Sequence, residues 1–446
     1  MDKFVFPFKD KLARTSLEVA GSNTVNNFIP IRTKENEFNW NVVIGLVLSS
    51  MLRKKIEKFS YEEFEKECKK SFELKLSNKY FWLKLKEMYF ENDALFSLSP
   101  EMYLFKSQKS EYKKSDERIA SMFINLLQGE KVNSFDTKLN FIENEILNVL
   151  ISQMENESQD VKEEPYLPFL SEMFKKDIRF LAKHPKYLLS SFESFLKFYG
   201  FIYISQLSLS ISDWKTAEQP LPKPLFFIME HEKASGERIH VRNHGYKLFE
   251  DNSRKLFPYL AMLEQLQPEL DKLDNGLKVP LWSLARAIKE SQNASICSRL
   301  EEFAKAFKSN RKLDLELYPS SNAFDWIEQL LNLSMEQFTN PTSGKKGIHI
   351  KHANQIEVCL ADGFFKSRGR AGRVLILNPE YLLLLANLAI GDREQLRFQE
   401  LVGEFKSRGV FLDKQTEIEL IKFFERIGNV EKMSDSGDAV YVRKTI

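Results

Sequence analysis

Cysteine is scarce in this chain of 446 residues: Cys68, Cys297 and Cys359 stand far apart with no paired spacing. Neither a disulfide framework nor a cysteine zinc site has support from that pattern. Long apolar runs are also missing, since 42–48 and 381–390 fall well short of the ~20 residues a membrane span needs. The opening Met1-Asp2-Lys3-Phe4 lacks a cleavable apolar segment. Excess charge is absent too: 65 basic against 63 acidic residues leave +2, so no global field draws in nucleic acid or membrane. Any such binding must come from a local patch. The expectation is a soluble, cytoplasmic protein with no membrane partner.

Signatures of catalysis are lacking as well. Ser343-Gly344-Lys345-Lys346 has Thr339 where a phosphate loop needs its first glycine and Lys346 where it needs Ser or Thr. No G-x-S-x-G elbow is present. His349-Ile350-Lys351 begins like the His-x-Lys motif of phospholipase-D-type nucleases, but Ile356 replaces the required aspartate. His349 and His352 sit in a strand-like pattern that sends them to opposite faces, and His240 and His244 lie beside Asn243 and Gly245, which favour a turn. Glu230, Glu232 and Lys233, after the apolar run 225–229, are the nearest approach to a carboxylate-and-lysine nuclease site, or simply charges leaving a strand for solvent. No catalytic residue, cofactor or metal is assigned.

What the chain does have is a run of helical patterns. Trp40, Val43, Ile44, Val47 and Met51 form one apolar stripe, and Ser60-Tyr61-Glu62-Glu63 is a capping box ahead of Phe64, Cys68 and Phe72. Further helices fit 79–89, 116–127, 139–154, 253–266, 281–290, 299–307 and 323–338. The acidic run 155–164, closed by Pro165 and Pro168, reads as a linker or long surface loop. The aromatic stretch 169–211 has helical spacing and few interleaved basic residues, which favours core over a base-stacking platform. The run 225–229 fits a buried strand, with a helix as the alternative, in a short strand region near 225–245.

The C-terminal block carries the clearest signals. A strand at 374–377 leads into Asn378-Pro379-Glu380, an N-cap with proline at the first helical position, and that helix runs to Ile390 and stops at Gly391. A second helix carries Phe398, Leu401, Val402 and Phe405 and stops at Gly409. A third spans 414–427 with Ile418, Ile421 and Phe424 on one face, widened by Leu420, Phe423 and Ile427. A hairpin follows, 430–433 and 439–442 around the turn cluster 434–438. Three helices and a hairpin are the order of a winged helix-turn-helix, which docks on duplex nucleic acid or on protein. The third helix carries Glu417, Glu419 and Glu425 against Lys414, Lys422 and Arg426, which disfavours direct base readout and with it the alternative of a winged-helix transcription regulator.

Basic charge gathers just upstream. Lys345, Lys346, Lys351, Lys366, Arg368, Arg370 and Arg373 face only Glu357 and Asp362 in the same interval. The segment 365–373 reads as a hairpin tip between strand-like runs 355–360 and 374–377. Its glycines permit a tight turn and its arginines offer planar donor pairs to phosphate oxygens. The alternative is a solvated loop whose charge protects a sheet edge. Gly369-Arg370-Ala371-Gly372 matches a GxxG loop, but that loop joins helices in KH domains. The expected fold is mainly α and multidomain: an N-terminal helical domain at 1–154, a middle mostly helical domain at 169–340, and a basic hairpin with a winged-helix-like module at 345–446.

Four stretches remain: Asn27-Phe28-Ile29-Pro30-Ile31-Arg32-Thr33-Lys34 with Phe38-Asn39-Trp40, Asn92-Asp93-Ala94-Leu95-Phe96 with 99–105, Pro224-Leu225-Phe226-Phe227-Ile228 with 232–235, and the ending 432–442. Together they resemble the DptG family of bacterial DNA phosphorothioation-dependent restriction systems. None is a catalytic motif. The resemblance implies a cytoplasmic defence protein acting with DptF-like and DptH-like ATPase subunits to restrict double-stranded DNA that lacks the phosphorothioate mark. It supplies no catalytic residue to carry over onto this chain.

Overall fold

Short polar side chains set where several helices begin. Asn39 accepts a hydrogen bond from the amide of Asn41, Asn140 from Glu143, Asn322 from Phe324, Asn378 from Tyr381 and Asp413 from Thr416. Each satisfies a first-turn N–H that the helix itself leaves open. In this computed structural model the described residues are 28–75, 79–91, 93–109, 112–158, 161–234, 238–267, 277–291, 295–433 and 439–446. The expected turn cluster 434–438 lies outside them, as do Asn27, Asn92 and Ser235. The described chain is mainly helical, with sixteen α-helices and three small sheets. Among these residues no helix is long and apolar enough to cross a membrane.

The chain divides into two compact units: Glu37–Asp160 with Phe174–Phe198 and Ile446, and the described residues up to Asn36 with Val161–Met173 and Tyr199–Thr445. This cut differs from the sequence division at 154/169 and 340/345. In the first unit α1 (Trp40–Leu52) buries Val43, Ile44, Val47 and Met51, the stripe read from the sequence. A Cβ at Gly45 would lie 2.6 Å from the carbonyl oxygen of Tyr103, so the 3-10 segment Pro100–Ser107 packs on α1 only because that position is glycine. Strand β1 (Lys54–Lys55) follows. Helix α2 (Tyr61–Lys75) opens on the expected capping box: the Glu63 amide donates to Ser60 Oγ at 3.2 Å and the Ser60 amide to Glu63 Oε2 at 2.8 Å. It buries Phe64, Cys68 and Phe72. Then come α3 (Lys79–Leu85), α4 (Lys114–Leu127) and α5 (Phe141–Ser152).

The acidic run 155–164 is more than a linker. Strand β2 (Glu155–Asn156) pairs with β1, and Ser49 Oγ donates to Glu157 at 2.8 Å. Glu163, of the second unit, is buried and bridges to Lys278. The aromatic stretch is core, as its spacing indicated. It runs through α6 (Pro168–Ala182) and α7 (Pro185–Ser210), and Phe174, Phe192, Phe195, Phe198, Tyr199, Phe201 and Tyr203 are all buried.

The second unit is built on a four-stranded sheet. Strand β3 (Phe226–Met229) is followed by α8 (Ile239–Asn243), α9 (Tyr246–Leu266), α10 (Leu281–Glu290), α11 (Ser295–Arg311), α12 (Ala323–Thr339) and α13 (Ile348–Leu360). Strands β4 (Phe365–Ser367) and β5 (Arg373–Leu377) form a hairpin. After α14 (Pro379–Ile390) come β6 (Gln395–Arg397), α15 (Phe398–Ser407), β7 (Phe411–Leu412), α16 (Lys414–Arg426), β8 (Val430–Met433) and β9 (Ala439–Arg443). The sheet order is β4-β5-β3-β7, with β5 and β7 parallel to β3. Its central strands are buried on both faces: Ile228, Val374 and Ile376 pack with Val241, while Phe201 meets Phe227 edge-on and stacks on Phe364 at 4.7 Å. Near the C-terminus a three-stranded antiparallel sheet, order β6-β9-β8, flanks α14, α15 and α16.

Two expectations are corrected. Residues 355–360, read as strand, are the second half of α13, whose buried face is His349, His352, Ala353, Ile356 and Leu360. Two of those five positions are histidines, which broke the apolar period. The inner face of α16 is Thr416, Glu417, Leu420 and Phe424, whereas Ile418 and Ile427 are exposed.

Candidate functional site

The basic hairpin forms between β4 and β5, not with 355–360. Its tip is a 3-10 turn, Gly369–Ala371, with Gly369 at φ +50° and Gly372 at φ +73°. Those left-handed conformations let the Arg368 amide donate to Gly372 O at 2.8 Å and the Gly372 amide to Gly369 O at 3.1 Å. The GxxG sequence thus links strands.

Lys366, Arg368 and Arg373 of the hairpin have partners within the protein. Exposed Lys366 pairs with the Glu230 carboxylate, and Arg368 Nη2 donates to the Glu230 carbonyl. Arg373 Nη1 donates to Tyr246 Oη at 2.6 Å and to Glu357 Oε1 at 2.7 Å. The Tyr246 hydroxyl in turn donates to Glu357 Oε2, and burial followed by that bond pushes its pKa up to about 12. Arg370 lies within the 3-10 turn.

The remaining predicted cations stand apart from these. Lys345 is half-buried in the turn between α12 and α13, where burial, with repulsion from Arg311, holds its ammonium below the ordinary value. Lys346 and Lys351 are exposed and, among the described residues, form no ion pair. Gly347, the N-cap of α13, and Glu357, which touches Arg373, are about 15 Å apart along the helix axis. Lys345 and Lys346, which precede α13, are thus separated from the Glu357–Arg373 contact by most of that helix.

The carboxyl ends of the parallel strands hold a buried charge cluster. Arg238 Nε and Nη2 grip the two oxygens of Asp413 at 2.8 and 2.5 Å. Its Nη1 donates to Glu232 Oε2 at 2.8 Å, and Nη2 also reaches Thr416 Oγ1 at 2.5 Å. Glu232 Oε1 accepts the Met229 amide at 2.8 Å, and Asp413 Oδ1 accepts the Thr416 amide at 2.9 Å. Side-chain exposures of 5% for Arg238, 3% for Glu232 and 14% for Asp413 put this network out of solvent. Burial raises the Asp413 pKa, but the bonds and charge of Arg238 and the Thr416 groups outweigh it and hold the carboxyl below its usual value.

Glu230 and Glu232, the candidate nuclease carboxylates, are both already paired with internal cations. Lys233 is exposed. Among the described residues, no group of three His, Cys, Asp or Glu is placed to hold a metal ion. No protein-family model matches this chain, and no curated protein is similar to it at a significant level.

His349 and His352, expected on opposite faces of a strand, share the buried face of α13. The Ile31 carbonyl lies 3.1 Å from His352 Nε2 and can only accept, so that nitrogen carries the proton; burial lowers the pKa of this ring to about 4. His240, in α8, stacks on Phe226 at 5.2 Å, and His244 caps that helix.

Sequence reasoning missed the partnership of Arg238 with Asp413. Asp413 carries a legible cap signal before α16, but nothing local points to an arginine 175 residues away.

Proposed function

We propose that this protein is a non-catalytic subunit of a DNA restriction complex, a defence system acting on DNA that lacks the phosphorothioate mark. In this reading it touches the DNA backbone and bridges DptF-like and DptH-like ATPase partners in the cytoplasm. The observation that carries it is the element order α14, β6, α15, β7, α16, β8, β9 with sheet order β6-β9-β8, the arrangement expected of a winged-helix-like module. Beside it in sequence stands a hairpin bearing Lys366, Arg368, Arg370 and Arg373.

The surface of α16 favours protein contact over base readout. It exposes Ile418, with Ile427 exposed at its C-cap, and its Lys422 pairs with Glu419 at 2.8 Å. A carboxylate on a groove-facing helix repels phosphates. The nuclease alternative through Glu230, Glu232 and Lys233 is less favoured, because freeing Glu232 requires breaking its pair with Arg238.

The test is a mobility shift on matched duplexes with and without phosphorothioate, at low and physiological salt. Binding that fades with salt is expected. Replacing Arg368, Arg370 and Arg373 with alanine should flatten the salt slope by about one unit for each phosphate the hairpin no longer neutralises. An unchanged slope in the triple variant refutes backbone contact by this hairpin. Cleavage of unmarked DNA by the purified chain, abolished by Glu230→Ala, would favour the nuclease reading instead.

A further inference from the structure

Between the hairpin tip and the start of α9 lies an open cleft of about 420 Å³. Arg242, Lys247 and Arg373 line it, together with Tyr246 and Gly372. The lining carboxylate, Glu250, is paired with Arg254 at 3.1 Å. A volume of this order suits a small polar ligand. A Cβ on Gly372 would meet nothing within 4 Å, so the tip leaves its side of the cleft open.

The orientation of Arg373 decides what the cleft can hold. Its guanidinium lies over the rings of both Tyr246 and Phe365, at 5.3 and 5.2 Å from their centroids. Nη1 directs its two hydrogens to Tyr246 and Glu357. Among the described residues, Nε and Nη2 have no hydrogen-bond partner. That same edge is closed by a carboxylate elsewhere in the chain: Arg179 gives Nε and Nη2 to Glu130, both at 2.7 Å, and Arg238 gives them to Asp413. The open edge of Arg373 is thus a two-pronged donor already fixed in orientation, so little ordering entropy opposes a ligand that engages it.

We propose that this cleft binds a phosphoryl group, with two oxygens on Nε and Nη2 of Arg373 and the remaining charge offset by Lys247 and Arg242. A lining with three cations against the one carboxylate Glu250 favours a multiply charged oxyanion over a carboxylate. The inference rests on the DNA reading only for the source of the phosphate, which is then a strand terminus or an internal phosphodiester.

The experiment uses the full chain with two variants. Arg373→Lys keeps the charge and removes the two-pronged edge, and Lys247→Gln alters an exposed residue. Binding of a labelled duplex is measured by anisotropy, with competition by 5′-phosphorylated duplex, 5′-hydroxyl duplex, a covalently closed circle and inorganic phosphate. Stabilisation by inorganic phosphate is followed by thermal melting. Each variant should weaken phosphate and duplex binding about tenfold or more. Stronger competition by 5′-phosphorylated ends than by the circle assigns the cleft to termini; equal competition assigns it to internal phosphates. If both variants bind phosphate and duplex as the wild type does, the cleft assignment is overturned, even where wild-type duplex binding persists. If the wild type binds phosphate through these residues but no duplex, the cleft stands and the DNA reading falls.

Discussion

Replacing Arg238 with methionine tests the buried cluster most directly. The change keeps an aliphatic stem but strands Glu232, 3% exposed, and Asp413, 14% exposed, without their cation. It also removes a donor to Thr416 Oγ1. Breaking one partner out of a buried ion network costs about 3–5 kcal/mol, because the charges left behind stay desolvated. For a unit of this size that is a fall in melting temperature of roughly 6–10 °C. Neutralising the stranded acids restores much of it, so Arg238→Met with Glu232→Gln and Asp413→Asn should be more stable than Arg238→Met alone. Native-state hydrogen exchange should place the weakened protection at Met229 and Thr416, whose amides donate to Glu232 and Asp413. A melting shift under about 2 °C, or a triple variant less stable than the single, refutes this account of the cluster.

Other perturbations have defined outcomes. His352 has a folded pKa of about 4 against 6.5 unfolded, so stability is intact above pH 6.5, begins to fall below it and is fully reduced near pH 4. The loss at pH 5 is about 2 kcal/mol, and His352→Leu should abolish that part of the pH dependence in chemical denaturation. Asp413 has a depressed pKa, so its contribution is present above the ordinary carboxylate range and disappears as pH drops through the folded value; Asp413→Asn should flatten the acid limb of the same profile. Gly409→Ala forces a residue with a Cβ to φ +83° and places that atom 2.7 Å from Gln206 Nε2, which should cost about 1–3 kcal/mol by thermal melting. Cys68 is fully buried and its thiol is pushed up chiefly by burial, so in the native protein it should react with a thiol reagent far more slowly than Cys297 and Cys359.

The elements with terminal chemistry were legible. Asn378-Pro379 opens α14 and Gly391 closes it at φ +60°, while Ser60 and Glu63 open α2, because caps act over three or four residues and leave local marks. The run 225–229 was readable as a strand for the same local reason. Its neighbours were not, because parallel pairing of Phe227 with Leu375 and Leu412 is written nowhere near it. Helix α13 was misread since His349 and His352 occupy inner positions normally filled by apolar residues. Strand β6 offers three residues with only Leu396 buried, too short a pattern to stand out. At the site, composition revealed the excess of cations but not that Lys366, Arg368 and Arg373 hold internal partners, and it gave no hint of Arg238.

The parallel sheet also sets an order of events during synthesis. Strand β3 emerges about midway along the chain, β5 follows only after six further helices and β7 only after eight. Until then Phe226-Phe227-Ile228-Met229 is an apolar strand with two vacant edges, the kind of segment that pairs with the wrong chain. Contacts this distant in sequence close slowly. Folding of this unit is therefore expected to be late and to be limited by the arrival of β5 and β7.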